Sequence, residues 1–357
     1  MTASCLSLPK TPKSPRSAAA RIIAWHKRHG RHELPWQRSR DAYAIWLSEI
    51  MLQQTQVTTV IPYYERFLKR FPTVQTLAAA PLDAVLALWS GLGYNSRARN
   101  LHQAAVLIVE RHGGQMPDDP AVVQALPGIG RSTAEAICVF AYGGRHAILD
   151  GNVKRVLARY CGVRGYPGET RVQEILWRKA ESLMPAKGIE NYTQGLMDLG
   201  ASVCGRRNPQ CAHCPLRADC VAHLRGITSA LPTVKPRAAL PQRKTVMLLM
   251  RNAGEILLER RDASGIWGGL WSLPEVSSAR GVQALCGKRY GARVLAVTAL
   301  PPLAHGFTHF KLQIEPLLLD VKKSKRSMPG VRWLPATDAV SAGIPAPVRK
   351  IIVSNCL

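Results

Sequence analysis

The stretch that decides the fold of the first half of this 357-residue chain is LPGIGRSTAEA, residues 126–136. Gly128 and Gly130 flank one apolar residue, and a helical pattern follows them. Glycine adopts backbone angles that are closed to other residues and leaves room for close approach. The segment therefore predicts a hairpin between two helices, whose second helix offers free backbone amides to a phosphate oxygen. A helix–turn–helix without a ligand is the alternative.

The charge of the chain favours a polyanionic partner. Lys and Arg total 48 and Asp and Glu total 23, which gives a net charge of +25. Such an excess is typical of proteins that bind nucleic acid. A basic protein without that partner is the alternative. The length favours two or three domains, and 46% hydrophobic residues can form a sizeable core.

The N-terminal residues predict neither a secretory signal nor a membrane anchor. Residues 1–17 are basic, contain three prolines and lack an apolar core, so we expect a disordered basic tail. No apolar run approaches the ~18 residues of a membrane span. We therefore expect a cytoplasmic monomer with no membrane partner, associated with the nucleoid if the protein is bacterial.

Periodicity divides the rest of the chain into two structured parts. Residues 18–225 have helical spacing of apolar side chains, and the helix after Arg97 is expected to stop at Gly113-Gly114. Residues 226–244 contain three prolines, four basic residues and no acidic residue, which is linker composition. Residues 245–357 alternate with the shorter period of strands, and Pro316 indicates an edge strand or a bulge. The prediction is a multi-domain protein in which an all-α domain precedes an α+β domain.

Four cysteines form a compact cluster with the spacing C-x6-C-x2-C-x5-C. Thiolates at this density bind zinc or an iron–sulfur cluster. Zinc sites typically contain two C-x2-C-like pairs, and this segment has one, so both metals stay open from the spacing. The candidate ligands are Cys204, Cys211, Cys214 and Cys220.

Three motifs together resemble the helix–hairpin–helix DNA glycosylases of the endonuclease III superfamily. They are LPGIGRSTA, LDGN at residues 149–152 and the cysteine spacing. Within that superfamily, LPWQ (34–37), WLSEIMLQQTQV (46–57) and GLGYNSRARNL (91–101) look like the adenine DNA glycosylase branch, the MutY type. The resemblance covers residues 21–220. It implies base excision repair of adenine mispaired with 8-oxoguanine or guanine in double-stranded DNA, and a structural [4Fe–4S] cluster on the four cysteines.

The resemblance also assigns the two carboxylates that the reaction needs. A glycosylase flips the base out of the duplex, protonates it and balances the positive charge that grows on the sugar. Glu49 is matched to the acid and Asp150 to the balancing carboxylate, with Asn152 orienting Asp150. An apolar pocket would keep Glu49 protonated, while hydrogen bonds would keep Asp150 ionised. The alternatives are a surface acid at Glu49 and a simple helix cap at Asp150.

Further matched positions are expected to contact DNA. Gln53, Gln54 and Tyr94 resemble residues that intercalate where the base has left the stack. Gln37 and Gln194 match positions that line the adenine pocket. A buried Tyr94 with no role toward DNA is the alternative.

Ser132 predicts which reaction follows base removal. In the endonuclease III branch this position is a lysine, whose amine attacks the sugar, forms a Schiff base and leads to strand cleavage. Serine has no amine to donate. The chain is therefore expected to be a monofunctional glycosylase.

The C-terminal part resembles a Nudix domain in GEILLERR (254–261) and SGIWGGLWSLPE (264–275). A Nudix hydrolase holds divalent metal on a glutamate-rich helix, but residues 276–291 contain no carboxylate, so magnesium has no ligands there. We expect a recognition module, in which Phe307, Thr308 and His309 resemble the lesion-sensing loop of the family. A plain strand is the alternative for that loop.

Three rival functions follow from the same residues. A bifunctional pyrimidine-directed glycosylase/lyase is disfavoured by Ser132 and the added C-terminal domain. A nucleotide pyrophosphohydrolase is disfavoured by the absence of an acidic helix. A non-catalytic DNA-binding iron–sulfur protein is disfavoured by the pairing of Glu49 with Asp150.

Overall fold

A computed structural model describes residues 17–235, 239–324 and 328–357, so the expected tail lies outside the described residues except for Ser17. The chain divides into two compact units. The first unit comprises Met1–Val57 and Leu107–Pro236, and the second comprises Thr58–Val106 and Arg237–Leu357. The helices between residues 58 and 106, which the sequence groups with the helical domain, thus belong to the second unit.

The part before residue 226 is helical, as the sequence predicts. Its α-helices, in chain order, are α1 (Ala18–His29), α2 (Ala42–Leu52), α3 (Val57–Arg70), α4 (Val74–Ala78), α5 (Leu82–Trp89), α6 (Ser96–His112), α7 (Pro120–Gln124), α8 (Arg131–Tyr142), α9 (Gly151–Tyr160), α10 (Thr170–Ser182), α11 (Ile189–Asp198) and α12 (Val221–Leu224). A π-helical turn follows α11 at Leu199–Val203, and short 3-10 turns occur at Pro35–Gln37, Cys211–His213 and Arg217–Asp219.

Local sequence signals explain where these helices begin and end. Asp41, Asp119 and Asp150 cap α2, α7 and α9 by accepting backbone amides, which satisfies donors that a helix start leaves free. α6 ends at His112, and Gly113 and Gly114 follow it with φ of +59° and +75°. The predicted stop at these glycines is confirmed, because both occupy the left-handed region that favours glycine.

The core of the first unit lies around α8 and α9. Val139 of α8 and Val153, Val156 and Leu157 of α9 are buried in one apolar cluster, together with Leu176 of α10. α8 also packs against α2 and α11. The residues at the start of α9 are therefore held from several sides by close-packed apolar side chains.

The second unit contains an eight-stranded mixed sheet. Its strands are β1 (Gln242–Asn252), β2 (Glu255–Arg260), β3 (Trp271–Ser272), β4 (Glu275–Val276), β5 (Ala292–Ala299), β6 (Leu303–Gly306), β7 (Lys311–Lys323) and β8 (Val331–Pro335). The main order is β3-β2-β1-β7-β5, with β1 and β7 parallel. Outside this order, β4 pairs with β1, β6 pairs with β7 and β8 pairs with β2. The expected turn between β1 and β2 is present, with Ala253 and Gly254 at positive φ.

Both faces of this sheet are covered. Met247 and Leu249 of β1 belong to one apolar cluster, and Leu248 and Met250 belong to another, because successive side chains of a strand point to opposite faces. The first cluster includes apolar residues of α15 (Ala346–Cys356), and the second includes those of α13 (Val282–Tyr290). A short helix, α14 (Ala336–Ser341), lies between β8 and α15 in sequence.

The expectation that Pro316 marks an edge strand or a bulge is wrong. Pro316 lies in the middle of β7, opposite Met247 of β1 and in register with it. On its other side β7 pairs with β6 over Lys311–Ile314 and with β5 over Leu317–Lys323, so Pro316 lies between the two paired ranges. The Pro316 carbonyl accepts from Leu300 at 2.9 Å, so its ring nitrogen faces the place where β5 gives way to β6. No ladder hydrogen bond is required there, which is why proline is tolerated.

Part of the segment predicted to be a linker contacts the first unit. Leu231 is buried, and the carbonyls of Thr228 and Leu231 accept hydrogen bonds from Arg159 within the first unit. β1 begins at Gln242, before residue 245. In the part of the chain that the structure describes, no helix combines the length and the apolarity required to cross a bilayer.

Candidate active site

The predicted hairpin is formed by α7, the turn 125–130 and α8. Ile129 between the two glycines is buried, whereas Gly128 and Gly130 are exposed. Gly128 has a φ of +79°, and a Cβ on Gly130 would meet no atom within 4 Å. Gly130 is the N-terminal cap of α8 and has no side chain to cap the helix. The start of α8 is thus open to an external hydrogen-bond acceptor.

Glu49 lies on the last turns of α2, in an apolar environment. Trp46, Leu47, Ile50 and Met51 on the same helix are almost completely buried, and Glu49 itself is partly buried. Burial, and secondarily the negative charge of Asp150, raises the pKa of Glu49 to about 7. A protonated carboxyl is therefore available near neutral pH, which is what a general acid requires.

Asp150 is both the cap of α9 and the partner charge of Glu49. Its Oδ1 accepts the Val153 backbone amide at 2.7 Å, so the capping role and the proximity to Glu49 occur together. Burial raises the pKa of Asp150, while the amides of Val153 and Asn152 and the charges of Arg155 and Lys154 oppose the rise. The expected hydrogen bonds to the carboxylate are present, but desolvation outweighs them.

Ser132 has a structural contact that the sequence does not reveal. Its Oγ, on the first turn of α8, accepts a hydrogen bond from the backbone amide of Leu149 at 2.9 Å. Leu149 immediately precedes Asp150, and both belong to the segment that enters α9. Ser132 therefore connects the hairpin helix to the segment that presents Asp150.

Asn152 contributes to this region in two ways. Its backbone amide supports the charge of Asp150, and its side-chain Oδ1 accepts from Arg155 at 2.8 Å. The start of α9 packs tightly against the π-helical turn after α11, because a Cβ on Gly200 would lie 2.6 Å from Cβ of Asn152.

Two buried arginines of α9 join this region to the cysteine segment, and the sequence analysis did not identify them. Arg155 donates to the carbonyls of Cys204 (2.8 Å) and Gly200 (2.6 Å). Arg159, only 2% exposed, donates to Sγ of Cys204 and to backbone carbonyls in the segments 204–206 and 228–231. Their spacing of four residues, on the face of α9 that also buries Val156, was the available signal.

The four clustered cysteines line one pocket. Burial raises the pKa of Cys214 to about 12, and the charges of the other three thiols act in the same direction. Asp219, next to Cys220, is held by Arg21 at 2.7 Å and by the Tyr160 hydroxyl at 2.8 Å. Within the described ranges, no three His, Cys, Asp or Glu side chains are arranged to hold a metal ion. The four cysteines that line the pocket are Cys204, Cys211, Cys214 and Cys220.

Gln37 and Gln194, the two expected pocket residues, both belong to a hydrogen-bonded network. Gln37 donates to the Arg31 carbonyl (3.0 Å) and accepts from the Leu34 amide (3.1 Å). Gln194 donates to the buried carboxylate of Asp198 at 2.9 Å. Asp198, which the sequence analysis missed, also accepts from the backbone and the guanidinium of Arg31. The structure thus places both glutamine amides in contacts that support the fold.

The candidate intercalating residues occupy strained turns. Gln53 and Gln54 follow α2, and Gln54 is exposed with a φ of +58°. In the second unit, Tyr94 is 45% exposed with a φ of +48°. A positive φ is uncommon for residues other than glycine and concentrates at functional sites. Exposure of Tyr94 disfavours the alternative of a buried tyrosine.

The candidate lesion loop, residues 305–310, joins β6 to β7. Thr308 and His309 are exposed, whereas Phe307 is partly buried and stacks on the buried ring of Phe310 at 4.4 Å. The Phe307 amide donates to the Phe310 carbonyl at 2.9 Å, which closes the loop as a tight turn. Thr308 and His309 are therefore exposed to solvent, and the stacked rings of Phe307 and Phe310 lie on either side of them in the sequence.

Comparisons with known proteins match both the helical part and the sheet-containing part of the chain. The model of the HhH-GPD superfamily base excision DNA repair protein matches residues 47–182, and the NUDIX domain model matches residues 245–354. An adenine DNA glycosylase of Buchnera aphidicola subsp. Baizongia pistaciae is 36% identical over 334 residues, covering 93% of this chain and 94% of that protein. The chain belongs to the adenine DNA glycosylase family.

Relatives in this family extend to mammals. The human adenine DNA glycosylase is 34% identical, over 92% of this chain and 72% of that protein. Among solved structures, a thermostable thymine-DNA glycosylase is 29% identical, with a TM-score of 0.54 over 58% of this chain and 95% of that chain. This adenine DNA glycosylase family member is therefore an enzyme of base excision repair that hydrolyses an N-glycosyl bond, with a helix–hairpin–helix fold followed by a Nudix-like domain.

Proposed function

We propose that this enzyme, acting as a monomer on double-stranded DNA, removes adenine that is mispaired with 8-oxoguanine or with guanine. The observation that carries the proposal is the pair formed by Glu49 and Asp150. The two carboxyls interact electrostatically, and Glu49 has a pKa of about 7. One protonated and one ionised carboxyl are the groups that hydrolysis of an N-glycosyl bond needs.

In the proposed reaction, Glu49 donates its proton to a ring nitrogen of the extruded adenine. The C1′–N9 bond then breaks, and its electron pair stays on the base. Asp150 faces the positive charge that develops on the sugar and stabilises it electrostatically. Water adds to C1′, and its proton passes to a carboxylate, which restores the starting protonation of the pair.

The contacts with DNA are proposed from exposure and backbone geometry. The open N-terminus of α8, with Gly128 and Gly130 in front of it, suits a backbone phosphate. Gln54 and Tyr94 are exposed on turns with positive φ, and we assign to them, with Gln53, the filling of the space that the adenine leaves. Gln37 and Gln194 are proposed to support the adenine pocket through the Arg31–Asp198 network.

Ser132 supports a monofunctional reaction. Its hydroxyl is engaged with the Leu149 amide, and it has no amine that could form a Schiff base with the sugar. The product is therefore proposed to be an abasic site in an intact strand.

We propose that Cys204, Cys211, Cys214 and Cys220 hold a [4Fe–4S] cluster. All four line one pocket, and Arg159 donates to Sγ of Cys204, so the donor set suits an electron-rich group bound by thiolates. The segment has one C-x2-C pair, whereas zinc sites typically have two, so the spacing favours an iron–sulfur cluster. The cluster would supply a structural anchor for the loop, and the protein residues would perform the chemistry.

The Nudix-like domain is proposed to recognise the lesion. Its helix α13 contains no carboxylate, so it lacks the oxygen ligands of a pyrophosphohydrolase. Thr308 and His309 offer exposed hydrogen-bonding groups, and Phe307 offers a ring.

The test is base removal from duplexes that contain A:8-oxoguanine, A:G or A:C, scored after mild alkali. We expect excision from the first two, with the highest rate opposite 8-oxoguanine. Removal of pyrimidines would contradict the proposal. Protein that binds the duplexes but removes no base from any of them would contradict it as well. His309→Ala should lower the ratio of the A:8-oxoguanine rate to the A:G rate, since each contact to a base edge discriminates by about 1–3 kcal/mol.

A further inference from the structure

Two segments of the second unit flank the candidate lesion loop and the Tyr94 turn (residues 90–95). The first is the Trp267 loop, residues 262–270, which follows β2. The second is the start of α6, which begins two residues after Tyr94. Both belong to the same compact unit as the lesion loop.

Trp267 packs directly against the lesion loop. Its ring centroid lies 5.3 Å from that of Phe307 and 5.6 Å from that of His305. Phe307 in turn stacks on Phe310. Phe307 is thus in contact with both an indole and a second phenyl ring, so the position of the lesion loop depends in part on Trp267.

The backbone of the Trp267 loop is held in an unusual conformation. Trp267 has a φ of +56°, and among the described residues other than glycine only Gln54, Tyr94 and Ala253 share a positive φ. Two of those three are the candidate intercalating residues. Such a conformation persists only where the surroundings enforce it, so the contacts of the Trp267 loop hold its backbone in place.

Arg99 fixes the Trp267 loop to α6. Its guanidinium donates to the carbonyl of Gly268, the residue after Trp267. Gly268 itself packs closely against the backbone of the same loop, because a Cβ there would lie 2.4 Å from the carbonyl oxygen of Ala263. Arg99 lies three residues after the helix start at Ser96, so the loop is attached close to Tyr94.

The other end of the Tyr94 turn is attached to the sheet domain as well. The Ser90 hydroxyl donates to the Ile344 carbonyl at 2.8 Å and accepts from Arg349 at 3.1 Å. The Ser90 carbonyl accepts from the Tyr63 hydroxyl at 3.1 Å. Hydrogen bonds therefore anchor the chain on both sides of Tyr94.

We propose that Arg99 and Trp267 are positioning residues that set the lesion loop in a defined place relative to the Tyr94 turn, so that the two act as one preformed recognition surface for the strand opposite adenine. This inference rests on the proposed function, because it assumes that the lesion loop discriminates 8-oxoguanine from guanine. Preorganisation favours the ligand that makes the additional contacts, since the ordering cost has been met before binding. Neither residue needs to touch DNA for this effect.

The experiment uses the full-length protein and single-turnover excision from A:8-oxoguanine and A:G duplexes. Arg99→Met removes the donor to Gly268, and Trp267→Ala removes the ring against Phe307. We expect each to lower the ratio of the two rates about tenfold, within what misplacement of a contact can cost, and to leave the A:G rate near that of the parent. Arg99→Lys and Trp267→Phe should restore most of the ratio. Arg111→Met, at an exposed position near the end of α6, is the control for loss of one positive charge.

Amide hydrogen exchange supplies a readout apart from activity. In Arg99→Met and Trp267→Ala, exchange should accelerate in residues 262–270 and 305–310, with the helices of the first unit unchanged. A parent protein without preference for A:8-oxoguanine would contradict the proposed function. A parent that prefers it, with variants that keep the ratio or lower both rates equally, would overturn this inference alone.

Discussion

The Ser132 hydroxyl accepts a hydrogen bond from the Leu149 backbone amide at 2.9 Å, which joins the helix of the hairpin to the residue before Asp150. In the proposed mechanism, the side chain at this position therefore has two roles. It lacks the amine that strand cleavage would need, and it holds the segment that contains Asp150.

The first prediction concerns this serine. The unmutated protein should leave abasic DNA that breaks only after heat or alkali, and borohydride should trap little covalent complex. Ser132→Lys should introduce trapping, because an amine would then stand near the sugar. Its excision rate should also fall, since lysine cannot accept the Leu149 amide.

Ser132→Ala separates the two effects. It should lower the excision rate without introducing trapping, because an unpaired backbone amide costs about 1–3 kcal/mol. Efficient trapping by the unmutated protein, or by Ser132→Ala, would contradict the monofunctional assignment.

The second prediction concerns the two carboxyls. Glu49→Gln and Asp150→Asn should each bind the A:8-oxoguanine duplex like the parent but remove adenine more slowly by roughly 10²–10⁴-fold, the usual contribution of positioned acid–base catalysis. Binding by gel shift and single-turnover excision are the measurements. Glu65→Gln, at an exposed position on α3, is the matched control. Excision at the parent rate by either variant would remove that residue from the mechanism.

The third prediction is the pH profile of single-turnover excision. Glu49 must be protonated, and its pKa is about 7, so the rate should fall as the pH rises through about 7. Asp150 must be ionised, and its pKa is raised, so the acidic limb should lie above that of an ordinary aspartate. Because the two carboxyls interact, the two limbs belong to the pair. A rate that stays constant from pH 6 to pH 8 would argue against Glu49 as the acid.

The fourth prediction concerns stability. The folded state keeps the Glu49 proton to about pH 7, whereas the unfolded chain loses it near the ordinary value of 4.5. The stabilisation from this proton is thus present below about pH 4.5 and is lost as the pH rises through about 7. Glu49→Gln does not titrate, so at pH 8 it should increase the free energy of unfolding by on the order of 1–3 kcal/mol.

Thermal melting of Glu49→Gln and the parent at pH 4 and pH 8 measures this difference. The gain at pH 8 should vanish at pH 4, and Glu65→Gln should show no gain at either pH. A pH-independent gain would indicate better packing of glutamine rather than a shifted carboxyl.

The fifth prediction concerns the cysteine pocket. The purified protein should be brown and contain about four irons per chain. Arg159→Met should reduce iron content and melting temperature, because it leaves carbonyls of the segments 204–206 and 228–231, which are buried or partly buried, without this donor. Arg206→Met, at an exposed position in the same loop, is the control. Colourless, active protein with stoichiometric zinc would overturn the cluster assignment.

Much of the helical part could be predicted because its signals are local. Paired glycines at 128 and 130 permit the hairpin turn, Gly113 and Gly114 end α6, and Asp150 caps α9. The turn between β1 and β2 was equally predictable from Asn252-Ala253-Gly254. Backbone angle preferences and capping act over a few residues, so they can be seen without knowledge of the fold.

The residue types also define the chemistry available to the protein: the two carboxyls, the serine in place of lysine, the four thiols and the missing acidic helix. The environment of these groups, in contrast, is set by the packed fold. The pKa of Glu49 depends on burial and on Asp150, 101 positions away along the chain, and Arg155 and Arg159 reach the cysteine segment only after α9 packs. Packing likewise places the helices of residues 58–106 in the second unit, with the sheet, and allows β7 to accommodate Pro316. Desolvation, long-range charge and strand neighbours are properties of the packed chain, and no local pattern specifies them.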